Sequence, residues 1–147
     1  MLTILVALAL LAPIEGPGPV APQVALPVRV VTVYHATVAE CDGDPLTTAD
    51  GTTWETIAGQ RIAAVSQELL WWNGGPVRWG DAIWVDIPDE RLAGLWWVRD
   101  TMWAGVQGYV DLAVPEGIMG CWRAAGAVLK HPESCRLGAT VYHIEWR

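Results

Sequence analysis

The segment R-D-T-M-W-A-G-V-Q-G-Y-V-D-L, residues 99–112, contains two aspartates eleven positions apart, Asp100 and Asp111. Apolar residues flank both acids and predict two short strands, and two glycines punctuate the connection between them. Partial desolvation raises the pKa of a carboxyl, so an acid at the edge of a strand can carry a proton near neutral pH. Alternatively, both acids cap turns or pair with Arg99 or Arg78. Spacing alone favours this structural alternative.

Outside this segment the pattern is mostly β. Short apolar runs, in part alternating with polar residues and rich in β-branched side chains, predict strands at residues 28–38, 61–65, 82–87, 95–98 and 139–146. A helical turn is expected at residues 66–72, ending at Asn73 and Gly74, and a short helix at residues 117–129. Many short strands separated by turn signals indicate a small barrel or sandwich. The sequence T-V-Y-H occurs at residues 32–35 and again at residues 140–143, and these two strands are candidates to pair.

Composition limits the class of protein. A chain of 147 residues, 52% of them hydrophobic, is about one domain with ample material for a core. The 9 Lys and Arg against 16 Asp and Glu give a net charge of −7, and there is no basic cluster. Nucleic acid is therefore excluded as an expected partner. Ten Trp residues accompany no Phe, which is an unusual ratio.

The N-terminus resembles a targeting segment. Residues 2–14 are uncharged and mostly apolar, and Pro and Gly are frequent up to residue 27. A bilayer span needs about 20 apolar residues, so a secretory signal fits better than an integral membrane span. An uncleaved anchor is the alternative. We therefore expect an exported protein, periplasmic or extracellular.

Three cysteines are present, with no C-x-x-C pair that would indicate structural zinc. Cys121 and Cys135 could close a disulfide loop in an oxidising compartment, leaving Cys41 unpaired. The alternative is that all three are reduced and packed. A metal site at Asp42, Asp44 and Asp50 is disfavoured, because their spacing lacks the Gly and final Glu of a calcium loop.

An ordered set of short motifs resembles the 3D (three-aspartate) domain, a double-psi β-barrel found in MltA-type lytic transglycosylases and related cell-wall-cleaving proteins. The matching motifs are T-A-D-G at residues 48–51, A-V-S at 64–66, W-G-D-A-I-W-V at 79–85, D-T at 100–101 and V-D-L at 110–112. The two aspartates keep the family spacing. Ser66 occupies the position of the first of the three aspartates, and Met102-Trp103 replaces a Gly-Gly pair.

The resemblance implies a fold and an activity. The fold would be mainly β: a small six-stranded double-psi barrel at residues 28–114, preceded by a signal-like segment and Pro/Gly linker at 1–27 and followed by an extension at 115–147 that packs on the barrel. The activity would be cleavage of the MurNAc-GlcNAc bond of peptidoglycan with formation of a 1,6-anhydro product. Asp111 would act as acid and then as base, and Asp100 would support it. We expect a monomer that needs no metal or organic cofactor.

Substrate contacts are expected around these acids. Indole rings offer apolar faces to sugar C–H groups and an N–H to hydroxyls, and Trp103 lies between the two aspartates. Of the adjacent Trp96 and Trp97, one should face the core and the other should be exposed. The expected substrate-binding residues are Trp103, Thr101, Thr48, Asp50 and Gln107. The alternative function is a non-catalytic barrel that binds glycans or serves as a structural part of an envelope or phage particle.

Overall fold

In a computed structural model of the chain, the structure describes residues 23–35, 47–53 and 60–145. These residues contain nine β-strands and three single turns of 3₁₀ helix, Gln67–Leu69, Trp71–Asn73 and Pro132–Ser134. The strands are β1 (Gln23–Ala25), β2 (Val30–Tyr34), β3 (Ile62–Val65), β4 (Ala82–Asp86), β5 (Gly94–Thr101), β6 (Tyr109–Ala113), β7 (Cys121–Arg123), β8 (Arg136–Leu137) and β9 (Thr140–Ile144). The prediction of a mainly β protein is confirmed.

All nine strands belong to one mixed sheet in the order β1-β9-β4-β5-β3-β6-β2-β7-β8. Two pairs near its centre are parallel, β2 with β6 and β3 with β5, and the antiparallel pair β3 and β6 joins them. Among the described residues, β1 and β8 at the two ends each pair with a single neighbour, so the sheet that these residues form is not closed. The resemblance implies six strands at residues 28–114, whereas the described residues of that range contain five, and β1 before it and three strands after residue 114 belong to the same sheet.

The core lies against one face of the central strands. Apolar residues at alternate positions of β3, β5 and β6 are buried there, including Val65, Val98 and Leu112. In β5 Trp96 is 2% exposed and faces the core, as expected of one of the pair, whereas Trp97 is half-buried and not exposed as expected. In β5 and β6 the residues of the other face are partly buried, whereas all four residues of β3 are buried.

The predicted helix at residues 117–129 is wrong. The segment contains strand β7, which pairs with β2 through Val30, Val31 and Thr32. Trp122 is buried between two half-buried neighbours, which is strand periodicity. Gly117 and Gly126 have φ values of 90° and 77°, a conformation that interrupts a right-handed helix. The free edge of β2 therefore determines the conformation of this segment.

The two T-V-Y-H segments do not pair, contrary to expectation. β2 lies between β6 and β7, and β9 lies between β1 and β4. Both edges of each strand are thus occupied. His35 Nε2 contacts the Ile118 carbonyl oxygen at 3.0 Å, and His143 Nε2 contacts Asp81 Oδ2 at 2.8 Å.

A disulfide joins Cys121, at the start of β7, to Cys135, just before β8. It ties the two-residue strand β8 to the rest of the sheet at one end of the strand order. Cys41 and the apolar run at residues 2–14 lie outside the described residues. Among the residues that are described, none belongs to a helix of the length and apolarity that a membrane crossing requires.

Candidate functional site

Asp100 and Asp111 lie on the same face of the sheet, on either side of Ala64. Ala64 of β3 pairs in register with Asp100 of β5 and with Asp111 of β6. Residues paired in register project to the same face, and strands are about 4.8 Å apart, so the two aspartate Cα atoms are about 10 Å apart. The residue between the two aspartates is small and is itself buried, with 5% of its surface exposed.

A register shift creates this alignment. Ala63 pairs with Val98, but the next residue, Ala64, pairs with Asp100, so Arg99 is the extra residue in β5. In a regular ladder Arg99 would lie opposite Ala64, and Asp100 would project to the other face. The irregularity therefore brings the two acids onto one face.

Hydrogen bonds from two backbone amides and a phenol hold the Asp100 carboxylate. Its Oδ1 accepts the backbone N–H groups of Ala49 at 3.0 Å and Thr101 at 2.9 Å, and its Oδ2 accepts the Tyr34 hydroxyl at 3.3 Å. Tyr34 is on β2, and β6 and β3 lie between it and β5, so the sheet must curve toward this face for the contact to form. Charge-assisted bonds of this kind stabilise an anion and fix its orientation.

The Ala49 donor is supplied by the T-A-D-G turn at residues 48–51. Thr48 Oγ1 donates to Asp50 Oδ1 at 2.6 Å, and the Thr52 N–H donates to the same oxygen at 2.9 Å. Asp50 in turn binds β5, because its N–H donates to the Arg99 carbonyl at 3.2 Å and its Oδ2 accepts Arg99 Nη1 at 3.2 Å. These contacts fix the turn against Asp100.

Thr48 and Asp50, both expected to bind substrate, are thus engaged inside the turn. Thr48 is 4% exposed, and the Asp50 side chain is 6% exposed. Burial raises the pKa of the Asp50 carboxyl, but the hydrogen bonds from Thr48, Thr52 and Arg99 together outweigh it and hold its pKa below the ordinary value of 3.8. Asp50 is therefore a charged structural element of the turn.

Asp111 is half-buried and accepts the Thr32 hydroxyl at 2.9 Å through Oδ1. Thr32 is its in-register neighbour on β2, so the row across this face runs Asp100, Ala64, Asp111, Thr32. The two carboxylates differ in their surroundings: Asp100 contacts a turn and a phenol, whereas Asp111 contacts a threonine of the adjacent strand.

Residues 102–108, the Trp103 loop, connect the two strands that carry the acids. Trp103 is 72% exposed, and its indole packs on Gly105, where an added Cβ would lie 1.8 Å from Cζ3 of the ring. Gln107 is also exposed, whereas Thr101 Oγ1 donates to the Val65 carbonyl at 3.1 Å. Of the expected substrate contacts, Trp103 and Gln107 are the most accessible.

Three consecutive residues after β3 hold both ends of this loop. Gln67 Nε2 donates to the Met102 carbonyl at 3.1 Å, and Glu68 Oε1 accepts the Gly108 N–H at 2.5 Å. Ser66, which is fully buried, accepts the Tyr109 N–H at 2.7 Å. In the sequence, these residues could have been recognised as the polar triplet S-Q-E that directly follows the apolar strand I-A-A-V. Sequence reasoning noted only the change from Asp to Ser at residue 66.

The chain matches no protein-family model, no curated protein and no solved structure. The functional conclusion therefore depends on the residues of the site. Two carboxylates on one half-buried face can donate and accept protons at a single bond, and an exposed indole on the adjoining loop can bind an apolar ring face. Within the described ranges, no group of three or more His, Cys, Asp or Glu could hold a metal ion. Asp42 and Asp44 lie outside those ranges.

Proposed function

We propose that this protein is a lytic transglycosylase-like enzyme that cleaves the MurNAc-GlcNAc bond of peptidoglycan and forms a 1,6-anhydro product. The observation that carries the proposal is the alignment of Asp100 and Asp111 across Ala64, with the T-A-D-G turn donating a backbone N–H to Asp100. These are the segments on which the family resemblance depends. Their proximity supports the resemblance, since they are separated by up to 63 positions in the sequence.

In the proposed mechanism Asp111 acts twice. Its protonated carboxyl donates a proton to the glycosidic oxygen, and the C1–O bond breaks with the electron pair leaving on that oxygen. The resulting carboxylate then takes the proton of the muramic acid C6 hydroxyl, whose oxygen bonds to C1 and closes the anhydro ring. Asp100 would support Asp111 from the same face of the sheet. The reaction requires no metal or organic cofactor.

We also propose a finer description of the fold and the location. The parallel pairs β2·β6 and β3·β5, joined through β3·β6, support a double-psi arrangement built on β2–β6. The Cys121–Cys135 disulfide supports an exported protein, because such bonds persist in oxidising compartments.

A non-catalytic glycan-binding protein is the second candidate. The observation that favours it is Ser66, which is fully buried and bonded to the Tyr109 backbone at the position of the family's first aspartate. A barrel that has lost one of three acids could retain its sugar contacts without turnover. Trp103 would then be the principal binding residue.

Turnover of purified sacculi distinguishes the two candidates. We expect the wild-type protein to release anhydro-muropeptides, detected by mass spectrometry, and Asp111→Asn to abolish their release. The control is Asp86→Asn, which makes the same change at an exposed position at the end of β4 and should leave release unchanged. If the folded wild-type protein releases no anhydro product from sacculi, the second candidate, a non-catalytic glycan-binding protein, is favoured.

A further inference from the structure

A second exposed aromatic surface lies between β3 and β4, apart from the two carboxylates. Trp71, Trp72 and Trp79 form a cluster, in which the ring centroids are 4.5 Å apart for Trp71–Trp72, 5.7 Å for Trp71–Trp79 and 5.1 Å for Trp72–Trp79. Trp71 is 38% exposed and Trp72 is 46% exposed. Two large apolar rings of this tryptophan cluster therefore face solvent side by side.

The tryptophan cluster is held firmly in place. Trp79 packs against the hydrophobic core and supports the other two rings. The 3₁₀ turn Trp71–Asn73 ends at Gly74 with φ 83°, and the Trp71 N–H donates to the Val77 carbonyl at 3.0 Å. Trp71 and Trp72 are not among the core residues and contact the core-packed Trp79 through their rings. Exposed apolar groups held in fixed positions are typical of binding surfaces.

The chemistry of the tryptophan cluster suits a neutral sugar. Indole faces contact the C–H groups of a pyranose ring, and the indole N–H can bond to a hydroxyl. The rings meet at steep angles, 76° and 83° for the two pairs that include Trp71, so they form a stepped surface and not one flat stack. None of the three side chains is charged, and the net charge of −7 disfavours a polyanion.

One segment connects the tryptophan cluster with the Trp103 loop. Gln67 Nε2 donates to the Met102 carbonyl at 3.1 Å, and Asn73 Nδ2 donates to the Gln67 carbonyl at 3.0 Å. The 3₁₀ turn that carries Trp71 and Trp72 therefore belongs to the same hydrogen-bonded unit as the loop between the two acids. Gln67 thus links the two aromatic surfaces through its side-chain amide and its carbonyl oxygen.

We propose that the tryptophan cluster is a glycan-binding subsite for a β-1,4-linked chain of N-acetylated amino sugars, remote from the bond that is cleaved. The preferred ligand is then a polymeric strand and not a disaccharide. The identity of the sugar rests on the proposed function. The position of the subsite rests on the exposed indoles and on their link to the Trp103 loop.

Binding of N-acetylglucosamine oligomers tests the proposal in an Asp111→Asn background, where turnover is removed. We expect the double change Trp71→Ala/Trp72→Ala to weaken binding of the hexamer about tenfold, measured by calorimetry, and to leave the weaker binding of the dimer unchanged. The control is Val128→Ala/Leu137→Ala, because both side chains are exposed and apolar and lie in the C-terminal part of the chain. Denaturant unfolding verifies that each variant is folded. Hexamer binding that is unchanged without Trp71 and Trp72 would overturn the proposal.

Failure of the inference and failure of the proposed function give different results. If sacculi yield no anhydro product but hexamer binding depends on Trp71 and Trp72, the enzymatic function fails and the subsite is supported. If product forms but hexamer binding does not depend on these residues, the subsite is rejected alone. The wild-type protein could also prove to be a homodimer that the double change makes monomeric while sugar binding is unchanged. That result would assign this surface to a second copy of the protein and overturn the proposal.

Discussion

At the scale of single residues, the site depends on side chains that shape the backbone around the acids. Asp50 holds the turn whose Ala49 N–H bonds to Asp100. Tyr34 and Ser66 contribute in the same way, by bonding Asp100 and the start of β6. Substitutions at these positions should therefore change the stability of the protein and the geometry around Asp100, and affect any reaction only through that geometry.

Asp50→Asn should destabilise the protein at neutral pH. Thr48, Thr52 and Arg99 donate hydrogen bonds to the charged Asp50 carboxylate, and an amide is a weaker acceptor. We therefore expect a loss of about 1–3 kcal/mol in the free energy of unfolding. Because folding lowers the pKa of Asp50, its contribution is present above pH 3.8 and is lost as the pH falls through the lower, folded-state value. Urea unfolding at pH 7 and pH 2.5 measures this difference, with Asp86→Asn as the control. An equal effect at both pH values would contradict the assignment.

At the scale of strands and loops, the sequence pattern predicts the elements that it determines locally, but not those that depend on pairing with distant segments. The strands of the central sheet could be predicted because their apolar and β-branched residues alternate, as in β2 and β5. Strand β7 could not, because three residues carry too little pattern and β2 provides the edge that orders them. The register shift at Ala64 and the contacts of Gln67 and Glu68 also depend on partners distant in sequence. The two acids could be predicted, but not the groups that position them.

Glu68→Ala should loosen the Trp103 loop. Glu68 Oε1 accepts the Gly108 N–H at 2.5 Å, and no acceptor replaces it in alanine. Loss of about 1.5 kcal/mol of local stability corresponds to roughly tenfold faster hydrogen exchange at the Gly108 amide, measured by NMR. Glu68→Gln keeps an acceptor oxygen at the same position and should show a smaller increase. Equal exchange in wild type and Glu68→Ala would show that the loop is held without Glu68.

At the scale of the whole molecule, the sheet extends well beyond the segments that the family resemblance covers. β9 pairs with β4 on one side, and β7 pairs with β2 on the other, so residues after 114 flank both ends of the central strands. The strand that carries Thr32, the partner of Asp111, is thus enclosed by β6 and β7. Stability of the C-terminal strands should therefore influence the carboxylate site from a distance.

Reduction of the Cys121–Cys135 disulfide should destabilise the sheet from the β8 end. The bond closes a loop with a sequence separation of 14, for which the chain-entropy estimate is about 3 kcal/mol. Within the described part of the chain β8 pairs with β7 alone, so its amides should lose protection from hydrogen exchange first, before those of β3 and β5 at the centre. Unfolding of a Cys41→Ser variant with and without reductant measures the effect free of the third thiol. Equal stability with and without reductant would show that strand pairing alone holds the C-terminal strands. Simultaneous loss of protection in β8 and β3 would show that the disulfide does not determine which strands open first.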